Sequence, residues 1–234
     1  MFHHIQFVLL TLVGPVASVY LVCAAPCLGL LRLMGRRPPP ASADEDLTGR
    51  VIIVTGANTG IGNRTAFHLA RMGAKVIMAC RSGGRGERAR AKMQQELAKL
   101  GSGKSRSAVR AGTLEVMEID LCDFASVRAF ARAFKAKHGA RLDVLVNNAA
   151  IAINQGPALT VDGLDTVFGG NFIGHFVLTT ELMPLIISTP NARVVCLSSV
   201  FHHMSGENWE AAAVGDLGRW AYPESKLAMV RLAK

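Results

Sequence analysis

Apolar and polar positions fall into alternating blocks from Leu47 onward. Residues 51–55 are four β-branched residues and a threonine, which predicts a buried strand. Residues 60–72 have helical spacing, with Ile61, Ala66, Leu69 and Met72 on one side. A second strand is predicted over 75–80 and a charged helix over 87–100. A Gly/Ser/basic loop follows over 101–112, then a strand over 114–119 and a helix over 124–137. Residues 142–146 and 193–197 read as the fourth and fifth strands, with one long helical stretch or two over 163–187. A last helix begins at Tyr222. Strand and helix in alternation predict an α/β fold, a Rossmann-type doubly wound parallel sheet.

Ahead of this block the pattern is different. No charged side chain occurs from Met1 to Leu31, and the run from Ile5 to Leu33 is mostly Ile, Leu, Val, Phe and Ala. About 20 apolar residues suffice to cross a bilayer, so residues 1–34 read as a membrane anchor helix. Arg32, Arg36 and Arg37 follow it, which places the carboxy-terminal side in the cytosol. The rival reading is a cleaved secretory signal peptide, with small-residue sites near Cys23–Ala25. A missing basic start and the length of the apolar run weigh against it. Residues 35–46, with three prolines followed by small and acidic residues, read as a linker to a domain over 47–234.

Charge changes the picture little. The net charge is +9, but residues 81–110 hold nine Lys and Arg against two Glu, and the remainder is nearly balanced. That stretch lacks interleaved aromatics, so it reads as a solvated face and excludes a nucleic-acid partner. The five cysteines match neither a disulfide framework nor a zinc site, and no metal is expected. His202 and His203 are adjacent, so their side chains are expected to diverge in a surface loop. His175 reads as a packing residue in the long helix.

Candidate chemistry starts at the first strand. Thr55, Gly56, Asn58, Thr59, Gly60, Ile61 and Gly62 form a glycine-rich turn between that strand and a helix. Such a turn lets backbone approach a pyrophosphate at a helix amino terminus. Arg81 directly follows the second strand, at the place where an acidic residue would bind the ribose hydroxyls of NAD. A guanidinium suits a 2′-phosphate, so NADP(H) is expected over NAD(H). The alternative is that Arg81 belongs to the solvated basic cluster.

The ordered set of motifs resembles the short-chain dehydrogenase/reductase family, with the TGxxxGIG loop matched over Thr55–Gly62. Asp120 and Leu121 look like its adenine-contacting pair, and Asn147-Asn148-Ala149-Ala150 resembles its NNAG element. Asn171, Ser199 and the Tyr222-Pro223-Glu224-Ser225-Lys226 motif match its catalytic group. Finer features, such as Ala79-Cys80-Arg81-Ser82 and Gly174-His175-Phe176, resemble the retinol dehydrogenase-type subgroup. The resemblance implies cofactor contacts from Asn148, Ala149, Tyr222 and Lys226. It implies hydride exchange between a nicotinamide and a lipophilic alcohol or its aldehyde or ketone, of retinoid, steroid or isoprenoid type. Tyr222 and Lys226 stand four apart, so they share a helical face on which the ammonium favours the phenolate. Ser199 would hold the substrate oxygen, and Asn171 would position a water. Endoplasmic reticulum membrane, with the domain facing the cytosol, is the location implied, and a homodimer is compatible with it.

Two departures stand out. Ala150 replaces the last glycine of NNAG, adding a methyl near the expected cofactor. The sequence stops eight residues after Lys226, without the further strands and substrate-covering segment of the family, and so reads as an incomplete chain. A second reading follows from this: a non-catalytic nucleotide-binding or interaction protein of the same fold. An incomplete sheet is expected to expose residues 193–197 as an apolar edge.

Overall fold

The computed structural model describes residues 6–11, 45–101, 110, 112–152, 159–215 and 218–233. Among these residues, six strands lie in one parallel sheet. They are β1 (Gln6–Thr11), β2 (Val51–Thr55), β3 (Lys75–Cys80), β4 (Thr113–Glu118), β5 (Val144–Asn147) and β6 (Arg193–Ser198), in the order β1-β6-β5-β2-β3-β4. The helices are α1 (Gly60–Arg71), α2 (Gly83–Gly101), α3 (Phe124–His138), α4 (Thr166–Ser188), α5 (Trp209–Val214) and α6 (Ala221–Leu232).

The strand pattern dictates the layers. Successive side chains of β2 point to opposite faces. Ile52 and Val54 pack in one core with Ala66, Phe67 and Ala70 of α1 and Met93 of α2. Ile53 packs in the other with Phe130 and Phe134 of α3 and Leu178, Leu182 and Ile186 of α4. Both faces are covered, as a parallel sheet requires. By length and composition α4 could cross a membrane, with 23 residues, yet Leu178 and Leu182 are fully buried in this second core.

Departures from the expected elements have local causes. α2 starts at Gly83, before the charged stretch, because glycines let the chain lie against the sheet. A Cβ at Gly86 would come within 2.6 Å of Val116 Cγ1. α4 is one helix with a π turn at Gly169–Ile173. A 3-10 turn at Val200–Met204 and helix α5 were not predicted, since both are too short to show a period. The His202 and His203 rings do not diverge: their centroids lie 3.9 Å apart.

The amino terminus requires a correction. Gln6–Thr11 is extended, where the start of a membrane helix was expected, and pairs with β6 from Gln6 beside Arg193 to Thr11 beside Ser198. The physical reason is the edge of β6, whose backbone donors and acceptors would otherwise lack a strand partner. The exposed edge expected at 193–197 is therefore covered here. The rest of the expected anchor, the linker up to Ala43 and Asp44, and most of the 101–112 loop lie outside the described residues.

Candidate active site

The carboxy-terminal ends of β2, β3, β4 and β5 open on a cleft of about 420 Å³. β2 sits between β3 and β5, so the strand order reverses at this point, the usual ligand crevice of an open α/β sheet. Gly56, Asn58, Thr59, Ile61 and Gly62 line one wall; Arg81, Asp120 and Leu121 line another; Asn148, Ala149, Ala150 and Asn171 close it.

The glycine loop has the geometry an anion needs. Gly60 has φ +58, and a Cβ there would meet nothing within 4 Å, so its backbone faces open space. Gly62 is the opposite case: a Cβ would collide with Asn148 Nδ2 and lie 2.7 Å from Gly56 O. Thr59, the N-cap of α1, makes no side-chain cap bond. The first-turn N–H groups of α1 are thus left without the usual side-chain acceptor, suiting a phosphate. Thr55 is buried beneath the loop and accepts from Asn148 N at 2.8 Å and Ala149 N at 2.9 Å.

Arg81 is exposed at the cleft rim, and Arg85, one turn into α2, lines the same wall. Arg85 belongs to the stretch read from the sequence as a solvated face, although its spacing of four from Arg81 is a usable signal. Asp120 is fixed by its own turn: its N–H donates to Ser126 Oγ at 2.9 Å, and Oδ1 accepts from Cys122 N at 2.9 Å. Cys122, also in the wall, is held as a thiol, its pKa pushed up to about 11 by burial and then by Asp120. Ala150 keeps a negative φ and lies exposed in the wall, so its extra methyl meets no backbone strain.

The four expected catalytic residues sit on three elements: Asn171 in the π turn of α4, Ser199 after β6, and Tyr222 and Lys226 on α6. Asn171 sits in the π turn with both ends of its amide engaged. Oδ1 accepts from Ile151 N at 2.7 Å, and Nδ2 donates to Ile151 O at 2.9 Å and Ser225 Oγ at 3.1 Å. The side chain thus clamps the β5 loop to α6. Ser198 and Ser199 divide their work. Ser198 Oγ is buried and donates to Lys226 O at 2.7 Å, whereas Ser199 is half-buried and caps the following 3-10 turn. Glu224 is buried between Tyr222 and Lys226, and accepts from Ser205 Oγ at 2.5 Å and Gly206 N at 2.7 Å. It ties the segment after Ser199 to α6, a connection that the sequence pattern did not show.

Tyr222 packs edge-on to Phe201 of that segment, at 6.0 Å between centroids. Lys226 Nζ lies 5.5 Å from the Tyr222 ring centre and donates to Leu197 O at 3.3 Å. Burial lowers the Lys226 pKa to about 8. Ser199, Tyr222 and Lys226 do not line the cleft itself, which ends at Asn171 and Gly170.

Comparison with known proteins identifies the family of this fold. The family model described as short chain dehydrogenase matches residues 50–234. The chain is 37% identical over 203 residues to retinol dehydrogenase 14 of Mus musculus, covering 83% of this chain and 60% of that protein. It is 38% identical over 232 residues to dehydrogenase/reductase SDR family member 13 of Bos taurus, covering 95% and 53%. The chain therefore spans about half to three-fifths of the length of the curated relatives it matches. A solved structure of an uncharacterised protein from Mycobacterium paratuberculosis superposes with a TM-score of 0.61 at 37% identity, covering 80% of this chain and 60% of that one. A metagenomic short-chain oxidoreductase in complex with NADP gives 0.58 at 26%, covering 80% and 74%. By its matched family model, its relatives and its sheet topology, the chain belongs to the short chain dehydrogenase family.

Proposed function

We propose that this chain carries the nucleotide-binding and catalytic part of an NADP(H)-dependent oxidoreductase. It interconverts a lipophilic alcohol, of retinoid, steroid or isoprenoid type, with its aldehyde or ketone. One observation carries the reading: an uncapped helix amino terminus, two arginines and the Tyr222–Lys226 face gather at one end of the sheet. The residues present fit a dinucleotide. The α1 end suits the pyrophosphate, Arg81 and Arg85 suit a 2′-phosphate, and Asp120 and Leu121 suit the adenine side.

When bound, the nicotinamide supplies or accepts the hydride. In reduction the Tyr222 hydroxyl gives its proton to the substrate oxygen, and in oxidation the phenolate takes it back. Lys226, buried beside the ring, favours the phenolate when charged. Ser199 holds the substrate oxygen by a hydrogen bond. The relatives named retinol dehydrogenase support the lipophilic substrate class.

The test is NADPH consumption with a panel of lipophilic aldehydes. Tyr222→Phe should cut turnover by about 10²–10⁴-fold and leave NADPH binding nearly intact. Wild-type turnover in that variant would remove Tyr222 as the proton donor. Arg81→Asp should weaken NADPH far more than NADH; equal loss would remove Arg81 as the selector.

The same reading places the domain on the cytosolic face of the endoplasmic reticulum membrane. Its support is the uncharged stretch before Arg32 and the basic residues after it. A crossing by residues 5–33 and pairing of β1 with β6 exclude each other, because the crossing puts Gln6–Thr11 in the bilayer. In the anchored form β1 therefore leaves the sheet. Protease added to intact microsomes should digest the domain; protection would contradict this orientation.

A further inference from the structure

We propose that His175 is a positioning residue for nucleotide binding: its Nε2 accepts a hydrogen bond from the Thr55 hydroxyl and so fixes Asn148 and Ala149 as the wall of the cleft. The inference rests on the nucleotide-binding reading above. It starts from a hydrogen-bond count at a site without water access. His175 and Thr55 are both fully buried. His175 Nδ1 lies 2.8 Å from the backbone oxygen of Asn171, and Nε2 lies 2.9 Å from Thr55 Oγ1.

A carbonyl only accepts, so Nδ1 carries the proton. Burial holds the ring neutral, lowering its pKa to about 4, with the nearby Lys226 charge adding to the effect. A neutral ring protonated at Nδ1 has a bare Nε2. Thr55 must donate to it, which leaves two lone pairs on Oγ1. Those accept the N–H groups of Asn148 at 2.8 Å and Ala149 at 2.9 Å. The hydroxyl is then at capacity, and the Val146 carbonyl, at 3.3 Å, is the weaker claimant on its proton.

The other tautomer fails the same count. A proton on Nε2 would donate to Thr55, asking its two lone pairs to accept three donors. One wall N–H would be released, and the bare Nδ1 would face the Asn171 carbonyl. His175 thus selects the arrangement that holds the wall. The wall matters to the ligand because the Asn148 side chain, donating to Thr55 O at 2.7 Å, fills the space that Gly62 leaves open in the phosphate loop. The same ring ties this wall to the backbone of Asn171, so the cofactor wall and the π turn move together.

The experiment uses the full chain in detergent micelles. The imidazole ¹⁵N signals that His175→Gln removes should be those of an Nδ1–H tautomer, unchanged from pH 8 to 5. An Nε2–H tautomer, or titration near pH 6.5, overturns the proposal. NADPH titration by fluorescence then separates the contacts. The Gln amide reaches the place of Nε2 and should keep affinity within about threefold. The Asn amide reaches only the place of Nδ1, so His175→Asn should lose about tenfold, as should Thr55→Val. Equal affinity for Gln and Asn variants overturns the positioning role. Should the Asn variant not fold, Thr55→Ser against Thr55→Val decides the same point, with Ser expected to bind as wild type. Failure of the wild type to bind NADPH removes the nucleotide reading itself, and is told apart because the tautomer is read without nucleotide.

Discussion

The two ends of the sheet each bury a charge, and they treat it in opposite ways. At the amino-terminal ends of β2 and β5, Asp143 is 1% exposed and saturated. It accepts from Arg50 Nη1 at 2.7 Å, from Val51 N at 2.9 Å, and from Arg141 Nε and Nη2 at 2.8 and 2.9 Å. At the carboxy-terminal ends, Lys226 is 3% exposed, and among the described residues its ammonium donates one hydrogen bond, a 3.3 Å contact with the Leu197 carbonyl. A saturated buried charge holds the fold together. An under-served one costs stability and is kept for what it can bind or tune.

The largest expected effect breaks the saturated end. Burial alone would raise the Asp143 pKa, but the bonds from Arg141 and Arg50 outweigh it and the net shift is downward. A lowered carboxylate contributes stability that is present above pH 3.8 and lost as pH falls through its folded value. Asp143→Ala leaves two arginines and the Val51 N–H without their acceptor. It should cost about 3–5 kcal/mol in urea unfolding at pH 7. A loss under about 1 kcal/mol would show that the cluster is no better than a surface pair.

The next effect has the opposite sign. Lys226 is held at about pH 8 against an ordinary 10.5. Below pH 8 both folded and unfolded chains carry the proton, and the folded chain bears the full desolvation cost. Between pH 8 and 10.5 the unfolded chain binds more protons, so stability rises with pH. Lys226→Met should therefore stabilise the nucleotide-free protein by about 2–3 kcal/mol at pH 7. The advantage should shrink toward pH 10.5, and shrink again when NADPH supplies partners to wild-type Lys226. A destabilised Met variant at pH 7 would mean that the ammonium is already well served.

This contrast explains what the sequence could and could not tell. The Thr55–Gly62 loop, Arg81 and the Tyr222–Lys226 face were legible because each is a local pattern within a few residues of a strand or helix end. Strand and helix identities were legible for the same reason, apart from ends set by packing, as at Gly86. Asp143 was not legible as a keystone, since Arg50 lies 93 positions away in the chain. His175 looked like a packing residue because its partner Thr55 is 120 positions away. The β1 pairing escaped as well. An apolar run such as Gln6–Thr11 reads equally as membrane helix or edge strand, and only the neighbouring β6 backbone distinguishes them.

The smallest expected effect extends the comparison to helix ends at the same rim. Asp123 caps α3, and its side chain accepts from Ala125 N at 2.8 Å and Ser126 N at 3.2 Å. Thr59 holds the equivalent position on α1 and makes no such bond. The two helices have 15 and 12 residues, so their exposed first-turn N–H groups are comparable. Asp123→Ala removes a working cap and should cost about 1 kcal/mol, whether or not nucleotide is present. Thr59→Ala removes nothing that stabilises the α1 end in the free protein. It should leave thermal unfolding unchanged within about 0.3 kcal/mol, close to the scatter of neutral surface changes. An α1 terminus left open for a phosphate should instead reveal itself as ligand-dependent stability: saturating NADPH should raise the melting temperatures of wild type and Thr59→Ala by similar amounts. Inorganic phosphate should give a smaller rise in both. If Thr59→Ala costs as much as Asp123→Ala without nucleotide, the α1 end is capped after all, and the rim does not divide into saturated and waiting termini.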